Sequence, residues 1–315
     1  MTLAEKVLEG DIQSAARLIT LLEDENGEAE KEMEVLYRHT GKAYIVGVTG
    51  APGVGKSTLT DNLIGYFRNQ KMTVGVIAID PTSALTGGAL LGDRIRMQRH
   101  AADEGVFIRS LATRGWVGGL AKAALGTAHI MDAMGKDIVI IETVGSGQIE
   151  LDIVKAADTT VLVLSPDSGD EIQTMKAGII ESADVFIVNK ADKEGAERLK
   201  SDLQMMLSLK PAADGGWTPP IILTQAVRGK GTAELGAALQ KHHDFIASGD
   251  KLLEKRRARV ELELMETLVS NLKAAVLDMD GGWFLKRLVD ALQKGRSTPE
   301  EAAREILDRF MNRRA

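Results

Sequence analysis

Eight consecutive residues, Gly50 to Ser57, read GAPGVGKS and match the pattern G-x-x-x-x-G-K-[ST]. Glycines at positions 50, 53 and 55 let the backbone curl until its N–H groups point inward at a phosphate. The pattern assigns Lys56 to the β- and γ-phosphates of a nucleotide and the hydroxyl of Ser57 to Mg²⁺. The alternative is a glycine-rich turn without a ligand. The nucleotide-binding residues predicted here are Gly50, Ala51, Pro52, Gly53, Val54, Gly55, Lys56, Ser57 and Thr58.

The residues on either side of this loop have the patterns of the two elements that must position it. Tyr44 to Thr49 is an apolar, strand-like run, and Ser57 to Phe67 has the spacing of a helix. A helix that starts at the loop adds the partial positive charge of its N-terminus to the phosphate site. The flanks therefore favour a strand, loop and helix that hold a nucleotide.

A tetrapeptide, Asn189-Lys-Ala-Asp192, follows another apolar run and matches N-K-x-D. The Asp192 carboxylate can accept hydrogen bonds from guanine N1–H and the 2-amino group. Adenine has neither donor and would leave the carboxylate unpaired, at a cost of about 1–3 kcal/mol or more. Lys190 can cover the face of the base, and Asn189 can tie this loop to the phosphate loop. The cofactor predicted is GTP or GDP, with backbone amides for guanine O6 from Gln225, Ala226 and Val227.

A third motif, Glu142-Thr-Val-Gly145, follows Ile138 to Ile141 and occupies the place of D-x-x-G, with glutamate for aspartate. The N–H of Gly145 can bond the γ-phosphate, so that loss of this phosphate releases the loop. The Glu142 carboxylate can hold Mg²⁺ directly or through water. Asp80 and Asp93 are further Mg²⁺ candidates, although Asp80 could equally cap a helix or turn and Asp93 could be a solvated loop residue. The predicted metal ligands are Ser57, Asp80, Asp93 and Glu142.

The water that attacks the γ-phosphate needs a residue to orient it. Gln148 is near in sequence, but it lies three positions after Gly145 rather than directly after it. A residue from a partner protein is the alternative. The predicted catalytic residues are Lys56, Glu142, Gly145 and Gln148.

Composition narrows the classes of protein to consider. The chain has 315 residues, 44% hydrophobic content, a formal net charge of −6 and no cysteine. The acidic balance argues against a nucleic-acid partner, and the apolar runs are too short to cross a membrane. Acidic residues near the N-terminus do not fit a signal peptide. We therefore expect a cytoplasmic protein with no membrane or nucleic-acid partner.

Seven apolar runs alternate with helical stretches, and several are apolar throughout, as strands buried on both faces are. The predicted fold is α/β: a P-loop NTPase with a mostly parallel central sheet flanked by helices. The runs are 44–49, 73–80, 105–110, 137–143, 159–165, 184–189 and 220–224. The predicted domains are an N-terminal helical extension (1–42), a nucleotide-binding domain (43–241) and a C-terminal helical dimerisation arm (242–315).

The two ends of the chain are predicted to be helical. Residues 2–38 should form two short helices separated at 23–27, and one long helix should run from about His242 to Leu277. We expect His242 and His243 to be a solvated surface pair. The arm could fold back on the core or pack on a second copy; its apolar stripe favours dimerisation.

Together these motifs resemble the ArgK/MeaB family of P-loop GTPases, in which glutamate replaces the usual D-x-x-G aspartate. The resemblance covers nearly the whole chain. Where the family usually reads E-T-V-G-V-G-Q-S-E, this chain has Ser146 and Ile149. Further stretches of this chain that resemble the family lie at 78–83, 87–94, 114–119 and 169–178.

This resemblance implies a homodimeric GTPase chaperone of an adenosylcobalamin-dependent acyl-CoA mutase, methylmalonyl-CoA mutase or a close relative. GTP would gate cofactor loading and protect the mutase, and hydrolysis would be slow until the partner stimulates it. Residues 87–93, 142–148 and 167–176 would be three switches. One alternative is a GTPase that inserts nickel or cobalt into another metalloenzyme, although five scattered histidines and no cysteine do not favour it. A small-molecule kinase is a further alternative.

Overall fold

A seven-stranded sheet forms the centre of the structure. The computed structural model describes residues 1–24, 26–80, 97–100, 102–112, 119–143, 155–168, 177–209 and 216–312. The strand order is β3-β2-β4-β1-β5-β6-β7, and every neighbouring pair is parallel. The strands are β1 (Tyr44–Thr49), β2 (Val74–Asp80), β3 (Val106–Ala112), β4 (Ile138–Thr143), β5 (Thr159–Leu164), β6 (Val185–Val188) and β7 (Ile221–Leu223). All seven predicted strands, and the parallel α/β fold, are confirmed.

The central strands are buried along their whole length, because helices cover both faces of the sheet. Every residue of β1, β4, β5 and β6 is buried. Side chains alternate between the faces: Val46 and Ile140 belong to one apolar cluster, and Ile45 and Val139 belong to another. This two-sided burial explains why the strands are continuous apolar runs.

Helices of the first 250 residues supply the outer layers. In chain order they are α1 (Leu3–Leu8), α2 (Ile12–Glu23), α3 (Gly27–Tyr37), α4 (Lys56–Asn69), α5 (Gly119–Ala133), α6 (Ala177–Ser182), α7 (Ala196–Ser208) and α8 (Thr232–Ala247). The apolar side chains of α2 and α5 share one cluster with the sheet, and those of α4 and α8 share the cluster on the opposite face.

The N-terminal region contains three helices, not the two that the sequence predicted. The additional break lies between α1 and α2, where Gly10 has a φ of 87°. Asp11 then caps α2, because its carboxylate accepts a hydrogen bond from the Ser14 N–H at 2.9 Å. A left-handed glycine followed by an acidic N-cap ends one helix and starts the next.

The predicted long helix from His242 is also wrong at its start. Helix α8 ends at Ala247, and α9 (Lys251–Leu277) begins after a short break that contains Gly249. The chain divides into two compact units, residues 1–259 and 260–315. The predicted boundary between 241 and 242 falls inside α8.

The second unit has a small apolar core of its own. It contains the rest of α9, α10 (Trp283–Gln293) and α11 (Pro299–Asn312). Met279, Phe284, Leu288 and Ala302 are buried together. Helix α11 starts with a capping box: the Glu301 N–H donates to Thr298 Oγ1 at 3.2 Å, and the Thr298 N–H donates to Glu301 Oε2 at 3.0 Å.

Candidate nucleotide site

The predicted phosphate loop connects β1 to α4 and depends on glycine at defined positions. Gly50, Gly53 and Gly55 have φ angles of 142°, 76° and 100°. L-residues that carry a side chain rarely adopt backbone angles in this range. Two of these glycines also leave no room for a Cβ. A Cβ on Gly50 would lie 2.1 Å from the Val163 carbonyl oxygen, and one on Gly55 would lie 2.3 Å from Asn189 Nδ2. The loop is therefore held in a tight curve against its neighbours at the start of α4.

Lys56 and Ser57, the first residues of α4, make the polar contacts of this loop. The Lys56 ammonium donates to the carbonyls of Gly50 and Ala51 at 2.6 and 2.7 Å, and the residue is only 5% exposed. Ser57 Oγ donates to Glu142 Oε1 at 2.6 Å. Parallel pairing of β1 with β4 brings them together, because Val48 is opposite Glu142. A serine hydroxyl beside a buried carboxylate is an oxygen donor set that suits Mg²⁺.

Asn189, directly after β6, joins three segments of the site. Its Nδ2 donates to the Val54 carbonyl at 2.7 Å, in the phosphate loop. Its Oδ1 accepts hydrogen bonds of 3.0 Å from Thr224 Oγ1 and from the Ala226 N–H. Asn189 is 3% exposed, so these hydrogen bonds are buried inside the protein. The next residue, Lys190, has a φ of 56°, which turns the chain sharply towards Asp192.

A cavity of about 730 Å³ lies between these segments. It is of the size that small-molecule ligands occupy. Most of the predicted nucleotide-binding residues line it together, although they come from three separate parts of the chain, and Glu142 joins them from a fourth. The lining residues are Pro52, Gly53, Gly55, Lys56, Ser57, Thr58, Glu142, Asn189, Lys190, Asp192, Lys193, Gln225, Ala226, Val227 and Arg228.

The sequence did not predict that Lys193 and Arg228 line this cavity. It also did not predict that Asp167 pairs with two lysines of the neighbouring loop. Lys190 and Lys193 both pair with Asp167, with Nζ to Oδ2 distances of 3.3 and 2.5 Å. The hydrogen bond from Lys193, and that from Lys190, lower the pKa of Asp167 below its usual value. Asp167 follows β5, the neighbour of β6. Its position after a predicted strand was the available signal, but the pairing depends on the strand order.

Several predicted site residues lie outside the part of the chain that the structure describes. These are Asp93, Gly145, Gln148, the differing positions Ser146 and Ile149, the proposed first switch at 87–93 and most of the third at 167–176. Asp80 is the last residue of β2, at the same edge of the sheet as the phosphate loop, and its side chain is not described. Lys56, Ser57 and Glu142 are thus the members of the predicted catalytic and metal sets whose side chains the structure describes.

His242, predicted as one of a solvated pair, is buried, with 1% exposure. Its Nδ1 is 2.6 Å from Thr159 Oγ1, and its Nε2 is 3.2 Å from Asp184 Oδ1. These contacts lie at the amino ends of β5 and β6, at the opposite edge from the nucleotide site. The prediction failed because the polar partners of His242 come from strands distant in sequence.

The comparisons with known proteins agree with this geometry. A family model described as "Methylmalonyl Co-A mutase-associated GTPase MeaB" matches residues 15–280. The chain belongs to this MeaB family of GTPases. The family match includes the phosphate loop, Glu142 and the N-K-x-D segment, so it covers all the motifs that line the cavity.

Similar proteins extend the comparison across most of the chain. A putative GTPase of Pyrococcus abyssi is 51% identical over 278 residues, which are 88% of this chain and 86% of that protein. The mouse methylmalonic aciduria type A homolog, mitochondrial, is 34% identical over 248 residues, 77% of this chain and 59% of that protein. The solved structure of an LAO/AO transport system kinase covers 98% of this MeaB-family chain and is itself 96% covered, with a TM-score of 0.70. At 21% identity this last similarity shows the fold.

Among the described residues of this MeaB-family GTPase, no helix combines the length and the hydrophobicity that crossing a membrane requires.

Proposed function

We propose that this MeaB-family GTPase is a chaperone that gates adenosylcobalamin loading and protects a cobalamin-dependent acyl-CoA mutase, methylmalonyl-CoA mutase or a close relative. The observation that supports guanine-nucleotide binding is that the phosphate loop, Glu142 and Asp192 all line one cavity. The client of the chaperone, the mutase, is inferred from the description of the family model and from the mitochondrial relative named for methylmalonic aciduria.

The residues of the cavity have separate roles in this proposal. Backbone N–H groups of the phosphate loop and the N-terminus of α4 hold the phosphates. Lys56, whose ammonium now contacts loop carbonyls, turns to the β- and γ-phosphates when they are bound. Asp192 is exposed at the cavity wall and accepts the two donors of guanine, while Lys190 covers the base.

Mg²⁺ is the metal that this site fits. Ser57 and Glu142 would hold it, directly or through water, with Asp80 and Asp93 as further candidates for its shell. When bound, the ion neutralises charge that develops between the β- and γ-phosphates. The Ser57–Glu142 hydrogen bond holds these two oxygens side by side at the start of α4. We infer that hydrolysis is slow until Gln148, or a residue of the partner, orients the attacking water.

Exchange of Asp192 for asparagine tests the guanine assignment. Asp192→Asn replaces one acceptor with a donor, which suits the 2-carbonyl of xanthine and opposes the 2-amino group of guanine. Affinity for GDP should fall about a hundredfold or more, and affinity for xanthosine diphosphate should rise. Calorimetric titration measures both. The matched control is Glu194→Gln, two positions away and exposed, which should bind both nucleotides as the wild type does.

The client proposal has its own experiment. The purified protein, loaded with GDP or with a non-hydrolysable GTP analogue, is titrated with a cobalamin-dependent acyl-CoA mutase. Complex formation should depend on the nucleotide, and the mutase should accelerate GTP hydrolysis at least tenfold. Transfer of adenosylcobalamin to the mutase should differ between the two nucleotide states. Neither a complex nor acceleration with any mutase of the source cell would contradict the chaperone role, without touching guanine binding.

We also propose that the protein is a homodimer through its C-terminal arm. Val260, Leu264, Leu268 and Leu272 recur every four residues along α9 and are 40–66% exposed. A repeated apolar stripe of this kind is normally covered by another surface. A second copy of the arm offers the same stripe, which suits a two-fold symmetric contact.

A further inference from the structure

A second cavity, of about 530 Å³, lies at the amino ends of β1 and β4, on the opposite edge of the sheet from the nucleotide site. Its floor is buried: Tyr44, Ala133, Lys136 and Ile138 are at most 8% exposed. Its rim is solvated at His39, Lys42 and Gln240. A buried floor with an open rim is the shape of a small-molecule pocket.

The acidic side chains of this second cavity already have their hydrogen-bond donors. Asp132 accepts from the N–H groups of Gly41 and Ala43 at 2.5 and 2.9 Å, and its oxygens also lie 3.2 and 3.3 Å from the Lys42 N–H. Asp137 accepts from the N–H and the hydroxyl of Thr73 at 2.7 and 2.8 Å. Both oxygens of Asp132 and Oδ2 of Asp137 therefore already accept hydrogen bonds from the protein.

The lysine ammonium group of this cavity has fewer hydrogen-bond partners than the carboxylates. Within the described residues, the Lys136 ammonium makes one hydrogen bond, a long one of 3.4 Å to the Gly105 carbonyl, although it can donate three. Burial and the nearby charge of Arg68 lower the pKa of Lys136, and Asp103 and Asp137 only partly offset this. A buried ammonium with unused donors is costly unless something accepts from it. Lys42 is exposed at the rim.

The remaining wall is apolar and aromatic. Leu8, Met72 and Ile138 contribute aliphatic surface, and the Tyr44 ring contacts the His243 ring edge-on, with centroids 4.5 Å apart. With hydrogen-bond donors at one side and hydrocarbon at the other, the cavity suits a molecule that has one polar end and one apolar end.

We propose that this second cavity binds a small organic anion, whose carboxylate or phosphate group pairs with Lys136 and Lys42 and whose apolar part packs against Tyr44, Met72 and Ile138. The site is separate from the nucleotide cavity and does not depend on the identity of the client.

The test uses the full-length protein saturated with GDP and Mg²⁺, so that the phosphate loop is filled. Phenyl phosphate, 3-phenylpropionate and the neutral 3-phenylpropanol are titrated while amide shifts are followed by NMR. At least one anion should shift the amides of Lys42, Tyr44 and Lys136 saturably, and the alcohol should not. The two anions distinguish a phosphate ligand from a carboxylate ligand. Shifts confined to the phosphate loop, or none, overturn the proposal.

Variants of the two lysines decide whether the charges hold the anion. Lys136→Met should weaken binding about tenfold to a hundredfold, as expected for loss of a charge-assisted hydrogen bond. Lys31→Met, on the exposed side of α3, is the control and should bind as the wild type does. Should Lys136→Met fail to fold, Lys42→Gln at the exposed rim still discriminates, with a severalfold weaker affinity expected. Unchanged affinity in Lys42→Gln and in any folded Lys136→Met overturns the proposal.

Discussion

The side-chain amide of Asn189 donates a hydrogen bond to the carbonyl of Val54 at 2.7 Å, and thereby fastens the N-K-x-D segment (Asn189–Asp192) to the phosphate loop. The same side chain accepts from the Ala226 N–H at 3.0 Å. Asn189 therefore holds the segment that it begins, Asn189–Asp192, against the phosphate loop in the absence of any ligand. Preorganisation of this kind avoids part of the ordering cost of binding.

Removal of this amide should loosen the site as a whole. Asn189→Ala leaves the Ala226 N–H and the Val54 carbonyl without their partner, at a cost of about 1–3 kcal/mol for each buried group. We expect GDP affinity to fall at least tenfold and the free energy of unfolding of the nucleotide-free protein to decrease by about 2–4 kcal/mol. Calorimetric titration and urea unfolding measure the two effects. Asn69→Ala, at the exposed end of α4, should change neither; wild-type affinity in Asn189→Ala would contradict the role of the tie.

Two glycines of the phosphate loop should respond differently to alanine. At Gly50 the new Cβ would meet the Val163 carbonyl at 2.1 Å, whereas at Gly53 no atom lies within 4 Å. Both substitutions carry the strain of a positive φ, about 1–3 kcal/mol. Only Gly50→Ala adds overpacking against the backbone of β5, a further 1–3 kcal/mol or so. Urea unfolding without nucleotide should therefore show Gly50→Ala as the less stable variant. Equal stabilities would contradict this prediction and would mean that the backbone at Val163 moves aside at little cost in free energy.

The sequence predicted the sheet well because buried parallel strands leave a local signature. The apolar run at 138–141 is an example, and the motif residue Glu142 follows at its end. Features that depend on contacts distant in sequence were missed. The pairing of Asp167 with Lys193 requires β5 to lie beside β6, and the burial of His242 requires Asp184 to lie beneath α8. Helix breaks at Gly10 and Gly249 were missed because the apolar periodicity continues through them.

The Asp184–His242 contact predicts a specific dependence of stability on pH. Burial alone would raise the pKa of Asp184, but the hydrogen bond with His242 and the charge of Lys255, 3.0 Å away, lower it below its usual value. A folded-state pKa below the unfolded value of about 3.9 means that the ionised carboxylate stabilises the fold above that pH. This contribution is lost as the pH falls through the folded-state pKa.

Asp184→Asn should therefore remove part of the acid sensitivity. The variant should be about 1–3 kcal/mol less stable than the wild type at pH 7, and this difference should shrink as the pH falls below about 4. Urea unfolding between pH 3 and 7 measures the convergence. Asp202→Asn, exposed on α7, is the control and should run parallel to the wild type. A constant offset for Asp184→Asn at every pH would show that the carboxylate stabilises the fold by shape and not by charge.

The exposed stripe of α9 predicts that assembly can be separated from nucleotide binding. Leu264 and Leu268 are 66% and 56% exposed in the single chain, and covering such side chains contributes about 1.5–3 kcal/mol each when burial is complete. Leu264→Glu with Leu268→Glu should convert a dimer into a monomer in sedimentation experiments. Lys273→Glu changes the charge of the same helix by two units on the exposed face opposite the stripe and should leave the dimer intact. Because the residues of the nucleotide cavity all lie in the first unit, the monomer should bind GDP with wild-type affinity. A wild-type protein that sediments as a monomer at micromolar concentration, or a double variant that remains a dimer, would show that the stripe has another partner.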